Sequence, residues 1–151
     1  MITIEHEAVV RGRALPISPK MSVALCKEIK GKNLQKAKKI LEEVIALKKP
    51  LPFKRFNQDL AHKPGMAAAR YPVKSSQYIL GLLHSLEKNA ENKGLDTQNL
   101  KITSALANIA QKRWHTGRQR RTKIKSAHLE IKVIEQKEIK NDRKTNSSTK
   151  T

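Results

Sequence analysis

The spacing of apolar and polar residues predicts strands at both ends of the chain. Residues 4–15 alternate between the two kinds and end near Gly12, which predicts a first strand. Residues 127–134 alternate cleanly, and residues 100–113 alternate more weakly. These last two segments follow one another along the chain and meet near Gly117, so they predict a β-hairpin.

Three helices are predicted between these strands, because apolar residues recur there at helical spacing and residues suited to helix starts precede them. Glycine or proline, which favour helix ends, follows each segment. The helices are expected to run from Ser18-Pro19 to just before Gly31, over residues 34–48 after Asn33, and from Pro72 to about Lys93 before Gly94.

The segment of residues 50–72 is a long connection between the second and third predicted helices. It is basic and contains three aromatic residues, Phe53, Phe56 and Tyr71. A connection of this length with no structure of its own is uncommon in a compact domain unless it has a function. The segment is therefore a candidate binding loop, although anchoring the loop to the core is the favoured role for Phe53 and Phe56.

These elements predict an α+β fold: a small antiparallel sheet packed on three helices, with a long projecting basic β-hairpin at about residues 100–134. Each strand would continue for about 17 residues, or roughly 55 Å, to a tip with few apolar residues. Such an arm needs an external surface to order it. The base of the hairpin is expected to pack on the helices through Leu106, Ile109, Leu129 and Ile131.

The chain is expected to form one domain over residues 1–135, followed by a tail over residues 136–151. A length of 151 residues suits one domain with an added tail. The tail is polar, low in complexity and ends in KTNSSTKT, which is typical of segments that are disordered when free.

Positive charge is the strongest compositional feature of the chain. It contains 32 Lys and Arg against 13 Asp and Glu, so its formal net charge is +19 at pH 7. This excess indicates a polyanionic partner: nucleic acid, an anionic membrane or an acidic protein. The basic residues are concentrated in segments 48–74 and 111–128, with Asp59 as their single acid. A membrane is disfavoured, because the second segment lies in a predicted hairpin rather than on an amphipathic helix.

The Lys and Arg residues of these segments are candidate RNA contacts, since both neutralise phosphates and Arg also binds them bidentately or stacks on bases. A solvated charged loop is the alternative, but 18 residues without an acid and the embedded Trp114 favour RNA. The sequence leaves open whether Trp114 stacks on a base or packs on the arm itself. The candidates are Arg11, Arg13, Lys20, Lys54, Arg55, His62, Lys63, Arg70, Lys74, Lys112, Arg113, Trp114, Arg118, Arg120, Arg121, Lys123 and Lys125.

The sequence contains no strong pattern for catalysis or metal binding. The five histidines are scattered and Cys26 is alone, so neither a metal site nor an intrachain disulfide is expected. Asp59 and His62 form only a weak pair, and phosphate-loop and nucleophile motifs are absent. We therefore expect no enzyme activity, no cofactor and no small-molecule substrate. The lack of a long apolar run or a secretory pattern, together with the single cysteine, favours a reducing, cytoplasmic location without a membrane partner.

Several motifs resemble those of a known ribosomal protein family. They occur in the order ISPKMSVALCKEIKGKNLQKAKKILEEVIALKKPLPFKRFN, HKPG, ARYPVKSS and NAENKGLD. They are similar to the universal large-subunit ribosomal protein L-twenty-two family in its archaeal and eukaryotic form, called L-seventeen in the older eukaryotic nomenclature. The resemblance covers residues 8 to about 135.

The resemblance implies an α+β structural protein that binds large-subunit ribosomal RNA beside neighbouring large-subunit proteins. It further implies that the globular part lies near the exit of the nascent-peptide tunnel and that the hairpin tip forms part of the tunnel wall, facing the nascent polypeptide. The SPK motif (Ser18, Pro19 and Lys20) would lie close to RNA. The residues that correspond to the tunnel-lining tip are Trp114, His115, Thr116, Gly117, Arg118 and Gln119.

The chain departs from the family pattern at the tip, because many relatives carry Pro-Arg where this chain has His115-Thr116. The departure affects which tip atoms face the tunnel and leaves the RNA-binding role intact. A free-standing RNA chaperone or regulatory RNA-binding protein is the alternative function, since it would use the same basic surface. The two functions differ in stoichiometry with the ribosome.

Overall fold

The computed structural model of the protein describes residues 7–135. The predicted start of the first strand at residues 4–6 and the tail at residues 136–151 lie outside the described residues. In chain order the regular elements are β1 (Glu7–Leu15), α1 (Pro19–Ile29), α2 (Leu34–Ile45), β2 (Leu51–Pro52), β3 (Ala69–Arg70), α3 (Val73–Asn92), β4 (Leu100–Ile109) and β5 (Ala127–Glu135). Short 3-10 turns occupy Thr97–Asn99 and Gly117–Gln119.

The predicted α+β fold is confirmed: an antiparallel sheet with strand order β1-β5-β4 packs on the helices. The central strand β5 alternates as its sequence predicts, with Leu129, Ile131 and Val133 buried. Helix α3 approaches β1 closely at Gly12, where a Cβ atom would lie 3.0 Å from a methyl carbon of Leu82. A second, two-residue ladder joins β2 to β3, which the sequence did not indicate. It closes the base of the long connection of residues 50–72, which we call the basic loop.

Strand β4 does not present the predicted residues to the core. A β-bulge between Ile102 and Ser104 shifts the pairing with β5 by one residue, so the buried positions move from even to odd numbers. Ala105 is buried as a result, whereas Leu106 is 49% exposed. Ile109 is 72% exposed at the end of the strand. The expected packing through Leu106 and Ile109 is therefore wrong, while that through Leu129 and Ile131 is confirmed.

The regular part of the hairpin is shorter than predicted, because β4 ends at Ile109 rather than at residue 113. Beyond it the two segments stay loosely paired. The Ile124 amide donates to the Arg113 carbonyl at 2.8 Å, and the His115 amide donates to the Thr122 carbonyl at 3.0 Å. We call residues 110–126 the arm.

The helices begin where the sequence predicts, but their caps differ. Ser18 and Asn33 occupy the N-cap positions of α1 and α2, yet neither side chain makes a capping hydrogen bond. Helix α2 ends at Ile45, three residues early, and Leu47 has a φ of 58° that is incompatible with a continuing helix. Gly31 adopts the predicted left-handed conformation after α1, with a φ of 81°.

The core lies between the sheet and the three helices and includes the lone cysteine. Cys26 is 2% exposed, and burial raises the pKa of its thiol to about 12, so it stays a protonated, inert apolar group. Phe53 is 3% exposed, which confirms its predicted role as an anchor of the basic loop.

One ion pair is built into the packing of α2 against α3. The Lys38 ammonium lies 2.5 Å from a carboxylate oxygen of Glu87, and the side chains are only 8% and 21% exposed. Gln35 donates a second hydrogen bond to the same carboxylate at 2.9 Å. The ion pair and the Gln35 hydrogen bond therefore add polar contacts to the packing of α2 on α3.

Candidate nucleic-acid interface

The arm carries a dense group of positive charges without acidic neighbours. No ion pair found within residues 7–135 includes a residue of the arm. Side chains with unpaired positive charge keep their full attraction for phosphate, because nothing must be displaced first. The exposed cations of the arm are Lys112, Arg113, Arg118, Arg120, Arg121, Lys123 and Lys125.

Trp114 contacts the arm and still presents a large surface to solvent. The Lys123 ammonium lies 4.4 Å from the centroid of the indole, and a β-bridge joins the two residues. Trp114 is nevertheless 58% exposed. Its packing on the arm, which the sequence left open, therefore leaves part of the indole free for stacking on a base.

Trp114 is the single tryptophan of the chain, so its fluorescence reports on the arm alone. We expect its emission to be that of a solvent-exposed indole in the free protein. Saturating large-subunit ribosomal RNA should quench or blue-shift the emission, because a stacked base excludes water from the indole. Emission that stays unchanged at saturation would show that no base reaches this side chain.

Some cations of the basic loop contact aromatic rings. Phe56 lies between two of them: the Arg55 guanidinium is 5.2 Å and the Lys20 ammonium 5.9 Å from its centroid. These contacts connect the loop to the start of α1 and give Phe56 a partly buried, bridging position. Lys63 lies 5.9 Å from the ring of Tyr71 in the same way. The remaining candidates of this region are exposed: Lys54, His62 and Arg70 in the loop and Lys74 at the start of α3.

The candidates on β1 differ from one another. The Arg11 guanidinium lies 3.3 Å from the carboxylate of Glu130, and Lys132 lies 3.3 Å from Glu7 on the same two strands. Arg11 is thus partly neutralised, which makes it a weaker RNA candidate than the sequence suggested. Arg13 is exposed and forms no ion pair with residues 7–135.

The predicted tip residues surround the short 3-10 turn of Gly117–Gln119. Gly117 has a φ of 66°, a conformation that glycine adopts without strain. Thr116, Arg118 and Gln119 are exposed, whereas His115 is partly buried. The end of the arm is therefore a polar, accessible turn.

A cleft that the sequence did not indicate lies where the arm meets the starts of α1 and α3. We call it the inter-helix cleft; its volume is about 580 Å³. Ser18, Met21, Tyr71, Lys74 and Ser75 line it from the body of the protein. The arm contributes His115, Lys123, Ile124 and Lys125. The arm, which the sequence predicts to need an external surface, thus lies beside the starts of α1 and α3.

Other chemistries find no support in the described part of the chain. Residues 7–135 contain no group of three or more His, Cys, Asp or Glu side chains placed to hold a metal ion. None of the described helices is both long and apolar enough to cross a membrane.

Most of the chain matches a known protein family. A family model described as "Ribosomal protein L22p/L17e" matches residues 10–136. The chain belongs to this family. It is a family of structural, non-enzymatic proteins of the large ribosomal subunit, as the motifs in the sequence implied.

Individual L22p/L17e relatives agree with this assignment. The large ribosomal subunit protein uL22 of Methanoculleus marisnigri is 50% identical over 114 residues, which cover 72% of this chain and 74% of that protein. The uL22 protein of Methanoregula boonei is 45% identical over 111 residues, 70% of this chain and 72% of its own length. That of Staphylothermus marinus is 42% identical over 132 residues, 80% of this chain and 84% of its own length.

Proposed function

We propose that this protein binds large-subunit ribosomal RNA through the arm and the basic loop. The observation that carries the proposal is the set of seven exposed, unpaired cations in the arm. Their attraction for phosphate offsets the repulsion between RNA segments that converge in a folded particle. Neighbouring large-subunit proteins would share this environment.

The tip of the arm would form part of the nascent-peptide tunnel wall, with the globular part near the exit. Support comes from family membership and from the exposed polar turn at Thr116, Gly117, Arg118 and Gln119. A wall of this kind must be accessible and must not bind apolar segments tightly, and a polar turn meets both needs. Trp114 and His115 flank the turn and would contact the passing polypeptide.

The particle in which this chain would work is the large ribosomal subunit, which is cytoplasmic. Quantitative mass spectrometry of purified subunits tests this directly. We expect one copy of the chain per large subunit, retained after washing in moderate salt. Absence from the particle, or an amount well below one copy, would favour a free-standing RNA chaperone that uses the same surface.

A further inference from the structure

We propose that the inter-helix cleft holds one unstacked nucleotide of the RNA, with its phosphate among the cations and its base against the apolar wall. This inference rests on the proposed RNA-binding function and assigns a defined site within it. The volume of about 580 Å³ lies in the range typical of small-molecule sites, ~300–1,000 Å³. The cleft is therefore large enough for a ligand of nucleotide size.

The charge of the cleft suits a phosphate. Lys74 from α3 and Lys123 and Lys125 from the arm line it, and all three are exposed. No acidic residue is among the described residues that line the cleft. An anion entering it would meet basic residues of α3 and of the arm without competition from a carboxylate.

Two helices begin at the cleft and add amide donors. The hydrogen-bond ladder of α1 starts with the Ser22 amide, which donates to the Ser18 carbonyl at 2.9 Å. That of α3 starts with the Ser76 amide, which donates to the Pro72 carbonyl at 3.0 Å. The amides of Met21 and Ser75 precede these ladders and belong to residues that line the cleft. Two positive helix ends therefore meet where the lysines lie.

The side chain of Ser75 gives the cleft a hydrogen-bond donor that the protein does not use. Ser75 is only 3% exposed and lines the cleft, yet its hydroxyl has no hydrogen-bond partner among the described residues. A hydroxyl that lines a cleft in this way can donate a hydrogen bond to a bound anion. A phosphate oxygen in the cleft would accept the hydrogen bond that this hydroxyl can donate.

The apolar part of the lining suits a base rather than a second phosphate. Met21, Tyr71 and Ile124 line it together with neighbouring prolines. A phosphate alone gains nothing from such a wall, whereas an unstacked base gains apolar and aromatic contact. The mixed lining therefore points to a whole nucleotide.

Two paired sets of variants test the phosphate end of the site. Ser75→Asp places a carboxylate where the phosphate would lie, and we expect it to weaken binding of the full-length protein to large-subunit ribosomal RNA about tenfold or more. Ser76→Ala is the control, because the neighbouring Ser76 hydroxyl is buried without a hydrogen-bond partner and Ser76 does not line the cleft. The control should bind within about twofold of the unchanged protein.

Lys74→Gln combined with Lys125→Gln should flatten the dependence of affinity on salt by up to ~0.7–0.9 log–log units for each lost phosphate contact. Lys36→Gln with Lys39→Gln removes the same charge from the exposed side of α2, away from the cleft. Circular dichroism of all four variants establishes that each is folded. Equal slopes for the two double variants would overturn the site.

The base end is tested by ultraviolet cross-linking of the full-length complex followed by mass spectrometry. We expect a nucleotide attached to the peptide that contains Tyr71 or Met21. Cross-links found only elsewhere on the arm and loop would contradict the binding of a base in the cleft, even if the lysine variants lose affinity. Loss of binding on changing the arm arginines, with the cleft variants unaffected, would overturn the site and leave the proposed function standing.

Discussion

Replacing Arg118, Arg120 and Arg121 together with alanine is expected to give the largest loss of RNA binding of any change considered for this protein. All three side chains are exposed and form no ion pair within residues 7–135, so each is free to neutralise a phosphate. The slope of log affinity against log salt should fall by up to ~0.7–0.9 for each lost contact, or about 2–3 in total. Filter binding to large-subunit ribosomal RNA over a range of salt concentrations measures this slope.

A charge-matched triple variant shows whether position matters beyond net charge. Lys36, Lys39 and Lys88 lie exposed on α2 and α3, outside the candidate interface. Replacing them with alanine also removes three positive charges but should change the slope little. A similar fall in both variants would mean that the protein binds RNA by its overall charge, and an unchanged slope in the arginine variant would mean that the arm does not touch phosphate.

Replacing Glu87 with alanine is expected to give the largest loss of stability, about 2 kcal/mol, because it leaves the buried Lys38 ammonium without its partner. We expect less than the ~3–5 kcal/mol typical of fully buried pairs, since the Glu87 side chain is 21% exposed. Urea denaturation measures the loss. Glu91→Ala removes an exposed carboxylate from the same helix and should change the free energy of unfolding by no more than ~0.5 kcal/mol.

The same ion pair predicts a pH dependence. The hydrogen bond that Lys38 donates to Glu87 lowers the pKa of the Glu87 carboxyl below its ordinary value of 4.5. The stabilisation is therefore fully present above about pH 4.5 and is lost as the pH falls through the lower pKa of the folded state. A Lys38→Met, Glu87→Leu double variant should regain most of the stability at neutral pH and lose less than the unchanged protein in acid. A double variant as unstable as Glu87→Ala would contradict this account.

Most of the fold could be predicted because local patterns and tertiary packing agree. The apolar stripes of the helices and the alternation in β5 are each consistent with one buried face. The prediction failed for Leu106, because a one-residue bulge inverts every later side chain and leaves no mark in composition. Ile109 was misplaced because sequence does not show how far along a strand the helices extend.

The candidate interface was predictable only as a list of charges. The arm cations are exposed because the arm has few apolar side chains to bury. This scarcity of apolar residues is visible in the sequence. The pairing of Arg11 with Glu130 depends on strand register, and the inter-helix cleft brings together parts of three separate segments. Such contacts between distant segments depend on the folded chain, and residue types alone do not predict them.

The ion pairs on β1 and β5 have a consequence for how the protein meets its partner. Glu7, Arg11, Glu130 and Lys132 cancel one another's charge, whereas the cations of the arm remain unopposed. Within residues 7–135, positive charge is therefore balanced on these two strands and unbalanced on the arm. The field of a polyanion acts more strongly on the arm than on this face of the sheet, and it therefore favours encounters in which the arm faces the partner.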